Sequence, residues 1–202
     1  MLSKKEIINK LNLLILFTII INISNIFQNQ YLYSENKKNN NICEYNKLRD
    51  KQFILNMFKK NWYWLVDEDD DKDFSPEYML DTKSSSNNEK DKGNLNIKVF
   101  VEDNITKGFI TYYTEINSKN KSKYGIIFTL AVDEKYRNKG IAKELLKYAI
   151  KDLKNNLKCD NIYLYTRINN EPAIKCYIKF GFNIIDYNKD IGILQLEYKK
   201  NK

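Results

Sequence analysis

The stretch from Tyr124 to Ala142 constrains this chain most. Tyr124 to Val132 is a nearly continuous apolar run, as expected of a central strand covered on both faces. It gives way to a turn holding Arg137, Asn138, Lys139 and Gly140, and a helix begins at once. That helix is predicted over residues 141–157. Ile141, Leu145, Ala149, Leu153 and Leu157 step by four, with Lys143, Lys147, Lys151, Lys154 and Lys158 on the other side. A buried strand running into an amphipathic helix belongs to an α/β layered domain. The free N–H groups at the helix start, at the positive end of its dipole, make an anion site. Gly140 lets a phosphate come close to the backbone, and the small Ala142 keeps the first turn open. Between Glu134 and Lys158 there are eight basic residues and three acids, so the surroundings are positive. On these residues alone the corner is either a phosphate site or an ordinary strand–turn–helix junction with a basic helix surface.

The flanking pattern completes one layer. Ile42 to Lys47 alternates briefly, a possible first strand. Phe53, Ile54, Met57 and Phe58 recur at helical spacing after a cap at Asp50, and Trp62 and Leu65 extend that face. Asn96–Val101 and Gly108–Ile116 read as strands joined by an Asp103-Asn104 turn, and Asn117 to Lys123 is a second polar turn. Ile162–Thr166 is a strand. Glu171–Phe180 is a short helix with Pro172 in its first turn and Gly181 as its stop. Phe182–Ile185 and Ile193–Tyr198 add two strands. The order predicts an α/β fold, a mixed sheet of about six to seven strands flanked by helices. Residues 67–94 interrupt it with ten acids, four lysines and a Ser-Ser-Ser-Asn-Asn run, an acidic low-complexity insertion expected to be solvated or disordered. Its Asp-rich start lacks the Gly and closing Glu of an EF-hand loop.

Composition narrows the chemistry. A length of 202 residues suits one domain. With no histidine, His-based triads and His-containing zinc sites are excluded, and three cysteines build neither a disulfide framework nor a four-Cys zinc site. No metal is expected. The net charge of +8 invites nucleic acid, but 31 of the 34 basic residues are lysine, and Arg is the side chain that reads guanine and clamps phosphates in bidentate fashion. Nucleic acid is therefore not the expected partner. Catalysis falls to Tyr, Asp, Glu, Lys, Ser, Thr, Cys or backbone groups. Residues 1–28 hold Lys4, Lys5 and Lys10 ahead of the apolar run Leu11–Ile23, the outline of a signal peptide or a signal anchor, with a buried N-terminal helix as the other reading. Residues 29–41 are a polar Asn/Lys-rich spacer, and residues 42–202 are the domain. Entry into the secretory pathway is expected, with onward passage to a plastid-type organelle or membrane anchoring as alternatives. Membrane contact is expected only through an uncleaved leader.

Two motifs point further. Arg137-Asn-Lys-Gly140-Ile-Ala142 resembles the Arg/Gln-x-x-Gly-x-Gly/Ala pyrophosphate loop of the GNAT superfamily of N-acetyltransferases. Asn170-Glu-Pro-Ala-Ile-Lys-Cys-Tyr177-Ile-Lys-Phe-Gly181-Phe182 is similar to that family's later signature, and the two stand in the right order. The resemblance implies a GNAT-like sheet with splayed central strands and acetyl-CoA as co-substrate. It implies that the backbone of Leu130 and Val132 pairs with the pantetheine arm, and that amides of Asn138, Lys139, Gly140, Ile141, Ala142 and Lys143, with Arg137, hold the pyrophosphate. Asn170 would bond the pantetheine or cap its helix. Tyr177 would give a proton to the departing thiolate or serve only as core. Many relatives carry the general base where this chain has Ile126, so Tyr165 or Tyr124 is the candidate here. Cys176 is read as a packed thiol. The run from Asp160 to Ile174 looks most like protein N-terminal and ribosomal-protein acetyltransferases, which implies a protein α-amine or lysine as acceptor. Asp186 to Gly192 lacks the Tyr pair that such relatives use on the peptide, with only Tyr187 nearby. A small-molecule amine and a non-catalytic CoA-binding module are the alternatives.

Overall fold

A computed structural model describes residues 41–66, 74–86, 90 and 92–199. The leader, most of the spacer and the Asp67–Asp73 run fall outside the described residues. Among the described residues, no helix is long and apolar enough to cross a membrane.

Seven strands form one mixed sheet in the order β1-β2-β3-β4-β5-β7-β6. They are β1 (Ile42–Glu44), β2 (Asn96–Glu102), β3 (Ile105–Ile116), β4 (Lys123–Val132), β5 (Asn161–Arg167), β6 (Phe182–Asn188) and β7 (Ile193–Tyr198). Only β4 and β5 run parallel; all other neighbours are antiparallel. The β2–β3 turn is the tight one its sequence predicts, with Asp103 and Asn104 both at positive φ (53° and 61°).

Each face carries its own core. On the first face lie α3 (Ile141–Lys151) and α4 (Glu171–Phe180), packed through Leu145, Leu146, Ala149 and Tyr177 onto Ile110, Ile127, Ile162 and Leu164. On the second face lie α1 (Lys47–Leu65) and α2 (Pro76–Thr82), packed through Ile54, Phe58 and Met79 onto Val99, Phe109 and Ala131. The apolar run of β4 thus divides between two cores, which is why it shows no clean alternation.

Three expectations are corrected. The first helix starts a turn earlier than a cap at Asp50 would have it. Asn46 is the cap, accepting from the amides of Leu48 (3.0 Å) and Arg49 (3.2 Å). Asp50 turns inward and is fully buried, accepting from the Asn46 amide at 2.7 Å, the Thr106 hydroxyl at 2.6 Å and the Nε and Nη2 of Arg49. The 67–94 insertion is not featureless either. Ser75 caps α2 by accepting from the Tyr78 amide at 3.2 Å, Pro76 opens the helix, and Met79 and Leu80 are buried. Phe74 packs at a tilt against Phe58 and Trp62 and edge-on against Phe128. Finally, the long helix leaves α geometry after Lys151, and Asp152–Asn156 forms a π turn in which Asp152 accepts from Tyr112 (2.7 Å) and Asn156 (2.6 Å).

Candidate active site

The site follows from one extra residue in β4. Thr111 of β3 faces Thr129, but Tyr112 faces Ile127, so Phe128 is a bulge. A bulge bends its strand, and β4 parts from β5 here. The two strands pair only from Tyr124↔Asn161 to Ile127↔Leu164, although both run on. Beyond that pair a seam opens between Phe128–Val132 and Tyr165–Arg167.

The strand register decides what the seam presents. The Asp133 amide bonds the Lys107 carbonyl at 3.0 Å, so alternate residues Asp133, Ala131 and Thr129 turn their main-chain groups toward β3. Leu130 and Val132 therefore turn theirs toward the seam. The Val132 carbonyl is already engaged by Arg137 Nε at 3.1 Å, which leaves the Val132 N–H and both groups of Leu130 for an incoming strand-like ligand.

The turn after β4 builds the anion cradle. Asn138 and Gly140 both adopt positive φ (62° and 83°), and α3 starts with no side-chain cap on its first amides. A side-chain atom placed on Gly140 would meet nothing within 4 Å, so the space over the loop is open. Arg137, Asn138, Lys139, Gly140 and Lys143 are exposed. Ile141 is buried and fixes the first turn to the core, with Ala142 packed beside it. Lys107, which is ion-paired to Glu102, and Lys139 place their ammonium groups 4.8 and 5.5 Å from the Tyr136 ring centre. The first amides of α3 without a side-chain cap and the open space above the loop fit a diphosphate.

Asn170 and Tyr177 lie on the same face as that cradle. Asn170 stands at the N-cap position of α4 without a side-chain cap bond, and its side-chain amide donates to the Thr166 hydroxyl on β5 at 3.3 Å. Tyr177 is 9% exposed in the first-face core, edge-on to Phe182. Burial pushes its phenol well above the ordinary value, so it stays protonated at neutral pH. Burial likewise raises the Cys176 thiol, which suits a packed residue.

The candidate bases stand on the other face. Tyr165 follows Leu164, the last residue paired across the seam, and is 50% exposed. Burial, the Glu115 charge and Tyr163 all raise its phenol. Tyr124 lies three residue pairs below the split, roughly 10 Å along the strand. It donates to Glu115 at 2.6 Å and is pushed up to about 12, by that bond first and by burial second. Neither phenol accepts a proton unaided at neutral pH; Tyr124 can only pass one to Glu115. Sequence reasoning missed Glu115, because its partner is set by the β3–β4 register.

One rim of the site is apolar. Arg167 donates to the carbonyls of Tyr63 (2.7 Å) and Val66 (3.2 Å) and stacks on the Tyr63 ring at 4.3 Å, tying the end of α1 to the end of β5. The Ile168 amide bonds the Gly192 carbonyl at 2.9 Å, bringing in the β6–β7 turn. Tyr63, Trp64 and Ile168 stand exposed along this rim.

Residues 52–182 match the acetyltransferase (GNAT) family. The chain belongs to that family. An N-alpha-acetyltransferase of Saccharolobus solfataricus is 37% identical over 90 residues, 42% of this chain and 54% of that protein. A spermine/spermidine N(1)-acetyltransferase of Bacillus subtilis is 36% identical over 86 residues, 40% of this chain and 57% of that protein. The chain spans about half the length of the curated relatives it matches. Arabidopsis thaliana NAA60, solved in complex with acetyl-CoA, shares the fold with a TM-score of 0.59 at 18% identity, over 80% of this chain and 98% of that one. The seven-stranded mixed sheet flanked by helices is the GNAT fold.

Proposed function

We propose that this domain transfers an acetyl group from acetyl-CoA to a primary amine, a protein N-terminal α-amine or a lysine, by direct attack in a ternary complex. The division of the site across the sheet supports this most directly. The diphosphate cradle, Asn170 and Tyr177 lie on the first face, the phenols and Glu115 on the second, and the seam between β4 and β5 joins them. A thioester laid along Leu130 and Val132 would reach the seam from one side and an amine from the other.

Each group then has a task. Amides from Asn138 to Lys143, with Arg137 and Lys139 around them, would hold the pyrophosphate, and Asn170 would bond the pantetheine. The Leu130 N–H would face the acetyl oxygen as charge develops on it. The amine nitrogen bonds to the acetyl carbon while the carbon–sulfur bond breaks, and the sulfur takes the Tyr177 proton. Tyr165 would orient the amine. The proton the amine gives up would pass through water or Tyr124 to Glu115.

The N-alpha-acetyltransferase relative and the apolar rim of Tyr63, Trp64 and Ile168 favour a peptide acceptor. The relative named for spermine and spermidine, with Glu115 on the acceptor face, supports a small amine as the second reading. The Lys4–Ile23 segment supports a compartment reached through the secretory pathway, which sequencing the N-terminus of the protein recovered from cells would test.

The test of function is the full chain with acetyl-CoA against a library of peptide N-termini, read by mass, with CoA binding measured in parallel. A shift on particular first residues is expected. CoA binding with transfer only to polyamines would favour the small-amine reading, CoA binding without transfer would leave a non-catalytic module, and no binding would refute all three.

A further inference from the structure

Two buried threonines meet at the bulge, and neither belongs to the groups assigned above. Thr111 is fully buried and Thr129 nearly so. Their hydroxyl oxygens are 2.6 Å apart, and the Thr129 backbone N–H donates to Thr111 Oγ1 at 3.1 Å. A buried amide must find an acceptor. At a bulge the ladder carbonyl is displaced from its regular position, and the Thr111 hydroxyl stands in that place.

The location of this bond matters. Thr129 is the last residue in register before the shift to Tyr112↔Ile127. It directly precedes Leu130, whose main-chain groups turn toward the seam. The Thr129 N–H belongs to the peptide plane between Phe128 and Thr129, so holding it toward β3 fixes that plane at the bulge. The Leu130 N–H is carried by the next peptide, set off from it only by φ and ψ of Thr129. A bulge without such a tie has other ways to place its extra residue, each aiming Leu130 differently.

We propose that Thr111 is a positioning residue: its hydroxyl holds the β4 bulge so that the Leu130 N–H points at the acyl carbonyl. The assignment of that carbonyl rests on the acetyltransferase reading; the tie itself does not. The two threonines are not equivalent. Thr111 Oγ1 accepts from the backbone amide, whereas among the described residues Thr129 Oγ1 hydrogen-bonds only the other hydroxyl. Thr111→Val removes the tie with little change of shape, Thr111→Ser keeps it, and Thr129→Val keeps the amide bond.

The experiment uses the full chain in four forms: wild type, Thr111→Val, Thr111→Ser and Thr129→Val. Steady-state kinetics with acetyl-CoA and a responsive amine, CoA binding, and amide hydrogen exchange at Thr129 followed by NMR are measured on each. Displacing a group by about 1 Å near the chemistry costs on the order of 100-fold. Thr111→Val is therefore expected to lower kcat by roughly 10- to 100-fold with the CoA dissociation constant within about twofold. Thr111→Ser should restore most of the rate, and Thr129→Val should lie near wild type. Exchange at Thr129 should quicken at least tenfold in Thr111→Val alone.

Unchanged Thr129 exchange in Thr111→Val overturns the proposal whether or not the protein has activity. Quickened exchange with an unaltered kcat overturns the positioning role. Equal losses in Thr111→Val and Thr129→Val, or a parallel loss of CoA binding, would mean a general packing role and overturn it too. A wild type that moves no acetyl group to any amine refutes the acetyltransferase reading, and with it the role toward the carbonyl; the exchange result then decides the tie alone.

Discussion

Gly140 offers a test in which folding and binding separate. It sits at φ 83° with open space where a side chain would start. Gly93 provides the control, since it has φ 78°, also meets nothing within 4 Å, and lies in the turn after α2, which packs on the opposite face. A left-handed backbone costs a non-glycine residue about 1–2 kcal/mol, and stiffening the unfolded chain returns about 0.4–1 kcal/mol. Gly140→Ala and Gly93→Ala should therefore each lose about 1 kcal/mol, a fall in Tm of roughly 2–4 °C for a domain of this size. Their effects on CoA should differ. A hydrogen bond to a charged group is worth about 1.5–3 kcal/mol, so a methyl group that pushes the diphosphate off even one loop amide should weaken CoA roughly 10- to 100-fold. Thermal unfolding without ligand gives the first quantity and calorimetric titration with CoA the second. If Gly140→Ala binds CoA like wild type, or if Gly93→Ala weakens it equally, the cradle at the start of α3 is wrongly placed.

Other substitutions probe the rest of the structure. Asp50→Ala removes a fully buried carboxylate, deprives the Thr106 hydroxyl and the Asn46 amide of their acceptor and takes the charge partner from Arg49; urea unfolding should show a loss of about 3–5 kcal/mol, the usual cost of breaking a buried pair. Tyr177→Phe keeps the ring against Phe182 and removes the donor; kcat should fall on the order of 100-fold or more with CoA binding intact, whereas an unchanged kcat would make Tyr177 core alone. Arg167→Lys cannot reproduce two carbonyl bonds and a stacked plane; KM for the amine should rise while CoA affinity holds. The Tyr124 phenol, held at about 12 by Glu115, lies above the roughly 10 of an unfolded tyrosine, so its contribution to stability is complete below that lower value and is lost as the pH climbs toward 12. Glu115→Ala should move one tyrosinate absorbance step to lower pH, and a titration identical to wild type would contradict the pair.

What could be read from the sequence was what depends on near neighbours. The step of four from Ile141 to Leu153 marked a helix face, and Asp103-Asn104 marked a turn, because both are local consequences of backbone geometry. The two motifs placed the loop after β4 and the helix of Tyr177 for the same reason. The true start of α1 escaped because Asn46 and Asp50 are both good caps, and only the burial of Asp50 against Thr106 of β3 decides between them. Helix α2 escaped because Met79 and Leu80 make too short a stripe to stand out among ten acids, although Ser75-Pro76 was a usable start signal. Glu115, Thr111 and Arg167 were beyond reach for a further reason. Each acts on a residue of another element, and nothing in the order of the chain gives the register that brings them together.

Strand register also explains why the site lies where it does. In a sheet of uniform register, β4 and β5 would pair to their ends, and the main-chain groups of Leu130 and Val132 would be spent on β5. One added residue at Phe128 releases them, and aromatic packing keeps that residue from slipping back: Phe128 lies against Phe74 and Tyr113 on the second face. On the first face, Leu130 packs into the core of α3 and α4. The bulge is thus held by side chains on both faces and by Thr111 within the sheet, while beyond it β4 pairs with β3 alone and its other edge does not pair with β5. A strand edge left open inside a domain is costly unless water or a ligand completes it. Here the opening adjoins the uncapped start of α3, so an extended chain ending in a diphosphate would satisfy both sets of donors at once.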